Sequence, residues 1–171
     1  MITRCHTKGD APSTALYSDC ERYRYALTRE WDAQGRRVAF VMLNPSQATE
    51  VQNDPTVERC ERRARALGYG AFRVTNIFAW RETDPALMRR ASDPVGPDND
   101  LTLQEAALWA DDVVAAWGVH GAHLDRGPAV ARLLRATGKP LLTLGLTKDG
   151  HPRHPLYVSY RQKPTTWPPQ A

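Results

Sequence analysis

Residues 38–46 carry the strongest structural signal in the chain and read Val38-Ala39-Phe40-Val41-Met42-Leu43-Asn44-Pro45-Ser46. An unbroken apolar run of this kind is typical of a strand that is covered on both faces, as the strands of parallel sheets are. Asn44 directly precedes a proline, which favours an extended or turn backbone at that position. The stretch therefore predicts a central strand that ends in a polar turn.

Strand-like and helix-like segments alternate along the rest of the chain. Further strands are predicted over residues 72–80, 112–117 and 140–145, and an alternating segment over 22–31 is predicted to pair with 38–43 as a hairpin. Helices are predicted over residues 55–67, 85–90, from 98 to about 110, and 127–137. This order predicts an α/β fold in one domain over residues 1–171. We expect a three-layer sandwich with a central, mostly parallel four-stranded sheet plus an N-terminal antiparallel strand, and an irregular tail from about residue 163.

The composition is that of an ordinary globular protein. Of 171 residues, 42% are hydrophobic and 25% are charged, and the formal net charge of +4 permits binding to a polyanion. No apolar run approaches the ~18 residues that a membrane span requires. The N-terminus lacks the apolar segment of a secretory signal, so we expect a cytoplasmic protein with no membrane partner.

Polar residues that follow the central strands are expected to share one crevice, because ligands of such sheets bind beyond the carboxyl ends of the strands. Asn44 follows the first central strand, Asn76 lies in the second, and His154 lies beyond the fourth. Asn44 either closes its strand with an Asx turn or holds a water or a polar substrate edge. Asn76 either bridges neighbouring strands or binds a ligand, since a buried amide needs partners. His154 either caps a carbonyl or donates a hydrogen bond to charge that develops on a substrate.

Other residues near the same strand ends are candidate substrate contacts: Pro45, Ser46, Asn76, Phe78, Arg81, His120, Lys148, Arg153 and Tyr157. The aromatic side chains among them, together with Trp80, could stack on a base, and a place in the core is the alternative. The basic run over residues 58–65 is interpreted as a solvated helix face, with phosphate contact as its alternative.

Two H-x-x-H pairs leave a metal site open as a further alternative: His120 with His123, and His151 with His154. The glycine and proline inside these pairs argue against regular helices that would bring both rings to one face, and no Glu accompanies them as in H-E-x-x-H. The preferred expectation is therefore a chain without a metal. The phosphate-binding motif G-x-x-x-x-G-K-[ST] and the nucleophile motif G-x-S-x-G do not occur in the sequence.

A set of short motifs resembles an uncharacterised domain family of bacteria and phages over nearly the whole chain. The motifs are Met42-Leu43-Asn44-Pro45-Ser46, Asp54-Pro55-Thr56, Thr75-Asn76-Ile77-Phe78-Ala79, Thr83-Asp84-Pro85, Asp93-Pro94-Val95-Gly96-Pro97 and His154-Pro155-Leu156-Tyr157. Through strand order and strand ends, the chain is also similar to the uracil-DNA glycosylase superfamily. Asn44-Pro45 resembles the water-positioning motif of that superfamily, Asn76 resembles its base-recognising Asn, and His154-Pro155-Leu156 resembles its last motif.

The second resemblance implies a mechanism. Asn44 would orient a water toward an oxocarbenium-like sugar, Asn76 would recognise the base, and His154 would donate a hydrogen bond to the departing base. It implies an enzyme that binds a nucleobase, a nucleotide or nucleic acid and hydrolyses an N-glycosidic bond. The iron–sulfur branch of the superfamily needs four thiolates, which Cys5, Cys20 and Cys60 cannot supply, so we expect no cofactor.

Two alternatives to this function stay open. The first is a non-catalytic protein that binds nucleic acid or a nucleotide through basic residues near 59–65 and 153–163. The second is a metal-dependent hydrolase that uses the histidines of the two pairs: His120, His123, His151 and His154.

Overall fold

The computed structural model describes residues 1–169, which form one mixed sheet with helices on both faces. The strands are β1 (Ile2–Lys8), β2 (Ala11–Tyr17), β3 (Arg24–Glu30), β4 (Arg37–Met42), β5 (Ala71–Asn76), β6 (Asp112–Ala115), β7 (Leu141–Thr143) and β8 (Thr165–Thr166). Their order in the sheet is β1-β2-β3-β5-β4-β6-β7-β8. The prediction of an α/β fold is therefore confirmed, whereas the sheet has eight strands and not four plus one.

The centre of the sheet is parallel and its flanks are antiparallel. Strand β4 pairs in parallel with β5 and β6, and β6 pairs in parallel with β7. Strands β1, β2 and β3 form an antiparallel meander that joins β5, and β8 is antiparallel to β7. β1 is exposed along most of its length, so its polar sequence lacks the apolar periodicity by which buried strands are predicted.

The predicted hairpin between β3 and β4 is wrong, because β5 lies between these two strands. The connection from β3 to β4 wraps around the start of β5: the backbone N–H groups of Trp31 and Asp32 donate to the Gly70 carbonyl at 2.9 and 3.0 Å. A Cβ atom at Gly35 would lie 2.7 Å from the Gly70 Cα, and one at Gly70 would lie 2.3 Å from the Asp32 carbonyl oxygen. Both glycines are therefore required by this close approach, which lets β5 enter between strands that are neighbours in sequence.

The helices are α1 (Pro55–Ala66), α2 (Pro85–Met88), α3 (Asn99–Trp109) and α4 (Arg126–Arg135). Helix α1 packs on one face of the sheet through Val57, Cys60 and Ala64, against strand residues that include Phe40 and Phe72. Helices α3 and α4 contribute to a second apolar cluster on the opposite face. Helix α1 begins where the sequence predicts it and is capped by Asp54, whose carboxylate accepts from the Val57 N–H at 2.9 Å.

The C-terminal segment is more ordered than the irregular tail predicted from residue 163. Its two-residue strand β8 pairs with β7, and the Trp167 ring packs edge-on against Trp117 at 5.7 Å between ring centroids. Trp167 is buried, so burial of one indole fixes a segment whose proline-rich sequence carries no periodic signal. No helix within residues 1–169 is long and apolar enough to cross a membrane.

Candidate functional site

The parallel strands end at one edge of the sheet, and the chain changes direction there. From β4 it passes to β5 on one side, and from β5 it crosses to β6 on the other side of β4. Such a switch point opens a crevice beyond the carboxyl ends of the strands. The residues that follow β4, β5 and β6 are therefore the natural candidates for ligand contact.

Asn76, the last residue of β5, is a buried amide without partners. Its side chain is 1% exposed, and neither its Oδ1 nor its Nδ2 has a hydrogen-bond partner among the described residues. Phe72 and Val74 belong to the cluster under α1, and alternation along the strand places Asn76 on that same face. A buried amide with no partner costs about 1–3 kcal/mol, so this strand end carries a group suited to a polar ligand.

The backbone around Asn76 is held from the opposite face of the sheet. The Asn99 side chain donates to the carbonyls of Asn76 and Ile77 at 2.9 and 3.1 Å. The Arg126 guanidinium, itself buried, donates to the Ile77 carbonyl at 2.8 Å and pairs with Asp100. These bonds satisfy the main chain where β5 ends and fix the position from which the Asn76 side chain projects.

Asn44 joins the loop after β4 to the loop after β5. Its Nδ2 donates to the Glu82 carbonyl at 2.6 Å, and the Glu82 N–H donates to the Pro45 carbonyl at 2.9 Å. The Asn44 amide is thus engaged through its nitrogen, and no described protein group donates to its Oδ1. These bonds are made by the nitrogen and do not form the predicted Asx turn, while the oxygen keeps the capacity to accept a hydrogen bond.

His154 lies beyond β6 on the α1 side of the sheet. Its Nδ1 accepts from the Leu156 N–H at 3.3 Å, so the proton of the neutral ring sits on Nε2. Burial lowers the pKa of His154 to about 4, and the nearby Asp54 carboxylate opposes this only in part. The ring is therefore a neutral hydrogen-bond donor at neutral pH. Gly118, in the loop after β6, has a φ of 74°, and a Cβ atom there would lie 3.5 Å from the His154 Cβ.

The loop that carries His154 is clamped by the basic face of α1. Arg59 donates to the Pro155 carbonyl at 3.0 Å, and Arg63 donates to the carbonyls of Ser159 and Gln162 at 3.2 and 2.8 Å. Arg65 pairs instead with the carboxylates of Asp10 and Glu61. Neither interpretation of the basic run holds for these arginines: Arg63 is buried, and the three guanidiniums bind the protein itself.

The other predicted substrate contacts are spread over the molecule. Ser46 and Arg81 line a shallow cavity of about 400 Å³ near the ends of β4 and β5. Pro45 is buried. Phe78 lies in the apolar core under α3 and α4, which agrees with the alternative that this ring is a core residue and does not stack on a base. Lys148, Arg153 and Tyr157 are exposed, and His120 lies half-buried in the 3-10 turn Val119–Asp125.

The structure therefore brings Asn44, Asn76 and His154 to neighbouring strand ends and leaves most of the other candidates apart from them. Neither of the two cavities of about 400 Å³ is lined by any of these three residues. Within the part of the chain that the structure describes, no three His, Cys, Asp or Glu side chains are placed to hold a metal ion. The histidines of the two H-x-x-H pairs do not form such a group.

Two residues at this edge of the sheet were not predicted from the sequence. Asp54 caps α1, and its carboxylate also acts on both His154 and the buried Arg24. Arg24 donates to the Ala48 carbonyl at 2.8 Å and so anchors the loop after β4. Its position in an alternating strand, facing inward, was the available signal: a buried arginine needs acceptors, and loops supply them.

The fold and the site together define an α/β protein with a mixed sheet whose parallel strands are followed by polar residues. The chain belongs to the family described as Protein of unknown function (DUF1643), whose model matches residues 24–156. The match begins with β3 and includes Asn44, Asn76 and His154, and it confirms the resemblance to an uncharacterised domain family. No curated protein and no solved structure matched the chain.

Proposed function

We propose that this protein recognises a nucleobase at the carboxyl ends of β4, β5 and β6 and hydrolyses the N-glycosidic bond that holds it. The observation that carries the proposal is the buried side chain of Asn76, which has no partner at either of its polar atoms within residues 1–169. A planar amide offers a donor and an acceptor side by side, and the polar edges of nucleobases offer the complementary pair. A base bound there would supply both missing hydrogen bonds.

The neighbouring groups suit the chemistry of glycosidic cleavage. When the bond breaks, the sugar becomes oxocarbenium-like and the base becomes negatively charged. His154, neutral and protonated on Nε2, can donate a hydrogen bond to that negative charge without being a cation itself. Asn44 can orient a water through its Oδ1, since its Nδ2 is held by the Glu82 carbonyl. The order of these three residues along the chain is the order of the glycosylase-like motifs.

Access to Asn76 requires movement. Because its side chain is 1% exposed, a base can reach the amide only when the surrounding loops open. The loops after β4 and β5 are linked through Asn44, Pro45 and Glu82, so they are expected to move as one unit.

Non-catalytic nucleotide binding is the second candidate function. It is favoured by the cavity of Ser46 and Arg81, which lies at the same edge of the sheet but includes neither Asn44 nor His154. In this case the protein would hold a nucleotide without breaking it.

The test is a base-release assay with single-stranded and double-stranded DNA, RNA and free nucleotides that carry uracil, hypoxanthine or modified bases. We expect release of one base class, reduced at least about 100-fold in Asn76→Leu and His154→Asn, because each removes a polar contact made to the base. Gln47→Ala removes an exposed amide from the loop after β4 and is expected to leave the rate unchanged. Absence of any released base would reject the hydrolase, and binding of a nucleotide without release would select the second candidate.

A further inference from the structure

The cavity that adjoins Asn44 has an unusual distribution of charge. It measures about 400 Å³ and is lined by residues of the loops before β3, after β4 and after β5: Glu21, Arg22, Ser46, Trp80, Arg81, Glu82 and Thr83. Two of these side chains are acidic and two are basic. Their partners decide which charges remain available to a ligand.

Both carboxylates are occupied by the protein. Glu21 forms an ion pair with Arg4 of β1. The Glu82 Oε1 accepts from the backbone N–H groups of Thr83 and Asp84 at 2.9 and 3.3 Å. The negative charge in the lining is therefore already compensated in large part.

Both guanidiniums, by contrast, have no carboxylate partner among residues 1–169. Arg81 donates to the Glu21 carbonyl at 3.0 Å and lies over the Tyr17 ring at 5.0 Å from its centroid. Arg22 lies over the Trp80 ring at 5.8 Å. The two side chains are held in position by a carbonyl and by aromatic rings, which leaves most of their N–H donors for a ligand.

Two hydroxyl groups complete the lining. The Ser46 Oγ and the Thr83 Oγ1 lie 3.1 Å apart, so one hydroxyl hydrogen of the pair is free to donate outward. Guanidinium and hydroxyl donors around a small open cavity match a phosphate group, which accepts several hydrogen bonds and carries negative charge.

We infer that this cavity binds a phosphate group of the nucleotide or nucleic-acid strand whose base the proposed function assigns to Asn76. The inference rests on that proposed function for its substrate class. The position supports it, because Ser46 follows Asn44 by two residues and the Asn44 side chain bonds to the Glu82 carbonyl in the cavity wall. The preferred substrate is then phosphorylated, and a free base or nucleoside is a poor one.

The test compares the affinities of inorganic phosphate, a nucleoside, its 5′-monophosphate and a single-stranded oligonucleotide. We expect the monophosphate to bind at least about tenfold more tightly than the nucleoside, and Arg22→Gln or Arg81→Gln to remove most of that advantage. Arg132→Gln removes an exposed arginine of α4, outside this cavity and outside both basic stretches, and is the matched control. Arg81→Gln loses the bond to the Glu21 carbonyl and could therefore destabilise the fold. Arg22 is exposed, so Arg22→Gln is expected to fold and keeps the test valid in that case.

The salt dependence separates a free nucleotide from a strand. For an oligonucleotide, loss of one phosphate contact is expected to reduce the steepness of log binding constant against log salt concentration by about 0.7. The Arg22→Gln, Arg81→Gln double variant is expected to reduce it by about twice that amount. A slope unchanged in the double variant, together with unchanged monophosphate affinity, would overturn the inference. Inorganic phosphate that binds the wild type but not the Arg22→Gln, Arg81→Gln double variant, while Asn76→Leu leaves base preference unchanged, would keep this site although base recognition by Asn76 had failed.

Discussion

Asn76 and Arg29 are both buried polar side chains of the central sheet, and they differ in what surrounds them. Arg29 of β3 is fully buried, and its two terminal nitrogens donate to Ser13, to the carbonyls of Thr49 and Gln52, and to the Asn53 side chain. Asn76 of β5 is nearly as buried, and in the part of the chain that the structure describes neither of its polar atoms has a partner. The Arg29 side chain anchors the loop between β4 and α1, whereas the Asn76 side chain bonds to none of the described residues.

Under the proposed function, the difference separates a structural polar group from one that binds a ligand. A buried group whose donors are used by the protein contributes to stability, and its removal leaves the acceptors unpaired. A buried group without partners costs stability, and under the proposed function a ligand supplies the partners that Asn76 lacks among the described residues. Stability measurements on variants of the two regions can therefore test the assignment without a substrate.

The largest effect is expected for Arg29→Met. The variant keeps an apolar stem of similar length but leaves the carbonyls of Thr49 and Gln52 without their donor. We expect the free energy of unfolding in denaturant to fall by about 3–5 kcal/mol, because several buried neutral acceptors lose their donor at about 1–3 kcal/mol each. Arg161→Met, at an exposed site, is the control and should change it by less than about 0.5 kcal/mol. A loss below about 1 kcal/mol in Arg29→Met would contradict the structural role.

A smaller effect is expected for the pH dependence of stability through His154. The folded-state pKa of about 4 lies below the ordinary value of 6.5, so the unfolded chain binds the proton more readily. The stability that goes with the neutral ring is complete above about pH 6.5 and is lost as the pH falls toward 4. Relative to His154→Asn, the wild type should lose about 3 kcal/mol over this window.

Asparagine preserves the side-chain acceptor for the Leu156 N–H in that comparison, so the variant changes the titration and keeps the turn Pro155–Tyr157. Thermal or denaturant unfolding at several pH values measures the difference. Parallel stability curves for the two proteins between pH 7 and 4 would show that the ring is not held neutral.

The smallest effect, and one of opposite sign, is expected for Asn76→Leu. Leucine has a similar shape and no polar atoms, so it removes an unpaired amide from the interior. We expect the free energy of unfolding to stay unchanged or to rise by about 1 kcal/mol, while base release and base preference are lost. Destabilisation by more than about 2 kcal/mol would show that Asn76 is a structural residue like Arg29 and would remove the main support for the proposed site.

The sequence predicted the elements that have local signals. The apolar run of β4 and the Asp54-Pro55 start of α1 are local, and both lie where the pattern placed them. The pairing of β3 was mispredicted because its partner β5 lies some forty residues further on, and a turn-like sequence between two strands does not exclude an inserted third strand. Strand β1 was missed because an exposed edge strand needs no apolar face.

The site was predictable only in part for a similar reason. Strand ends and polar residue types could be located in the sequence, and they led to Asn44, Asn76 and His154. The absence of partners around Asn76 is a property of the packed structure and has no sequence signal. The basic face of α1 shows the converse: Arg59 and Arg63 look like a solvated or phosphate-binding surface in sequence, and only the folded chain shows that backbone carbonyls bind them.

The glycine contact between Gly35 and Gly70 has a consequence for synthesis of the chain. Strands β3 and β4 leave the ribosome before β5, yet β5 lies between them in the sheet, and the loop that joins them closes around Gly70, the residue before β5. Until residue 76 has been translated, the apolar strand β4 has an open edge and no lasting neighbour on that side. Aggregation of nascent chains is therefore expected to be greatest for those that stop between β4 and β5, and to fall once β5 has been added.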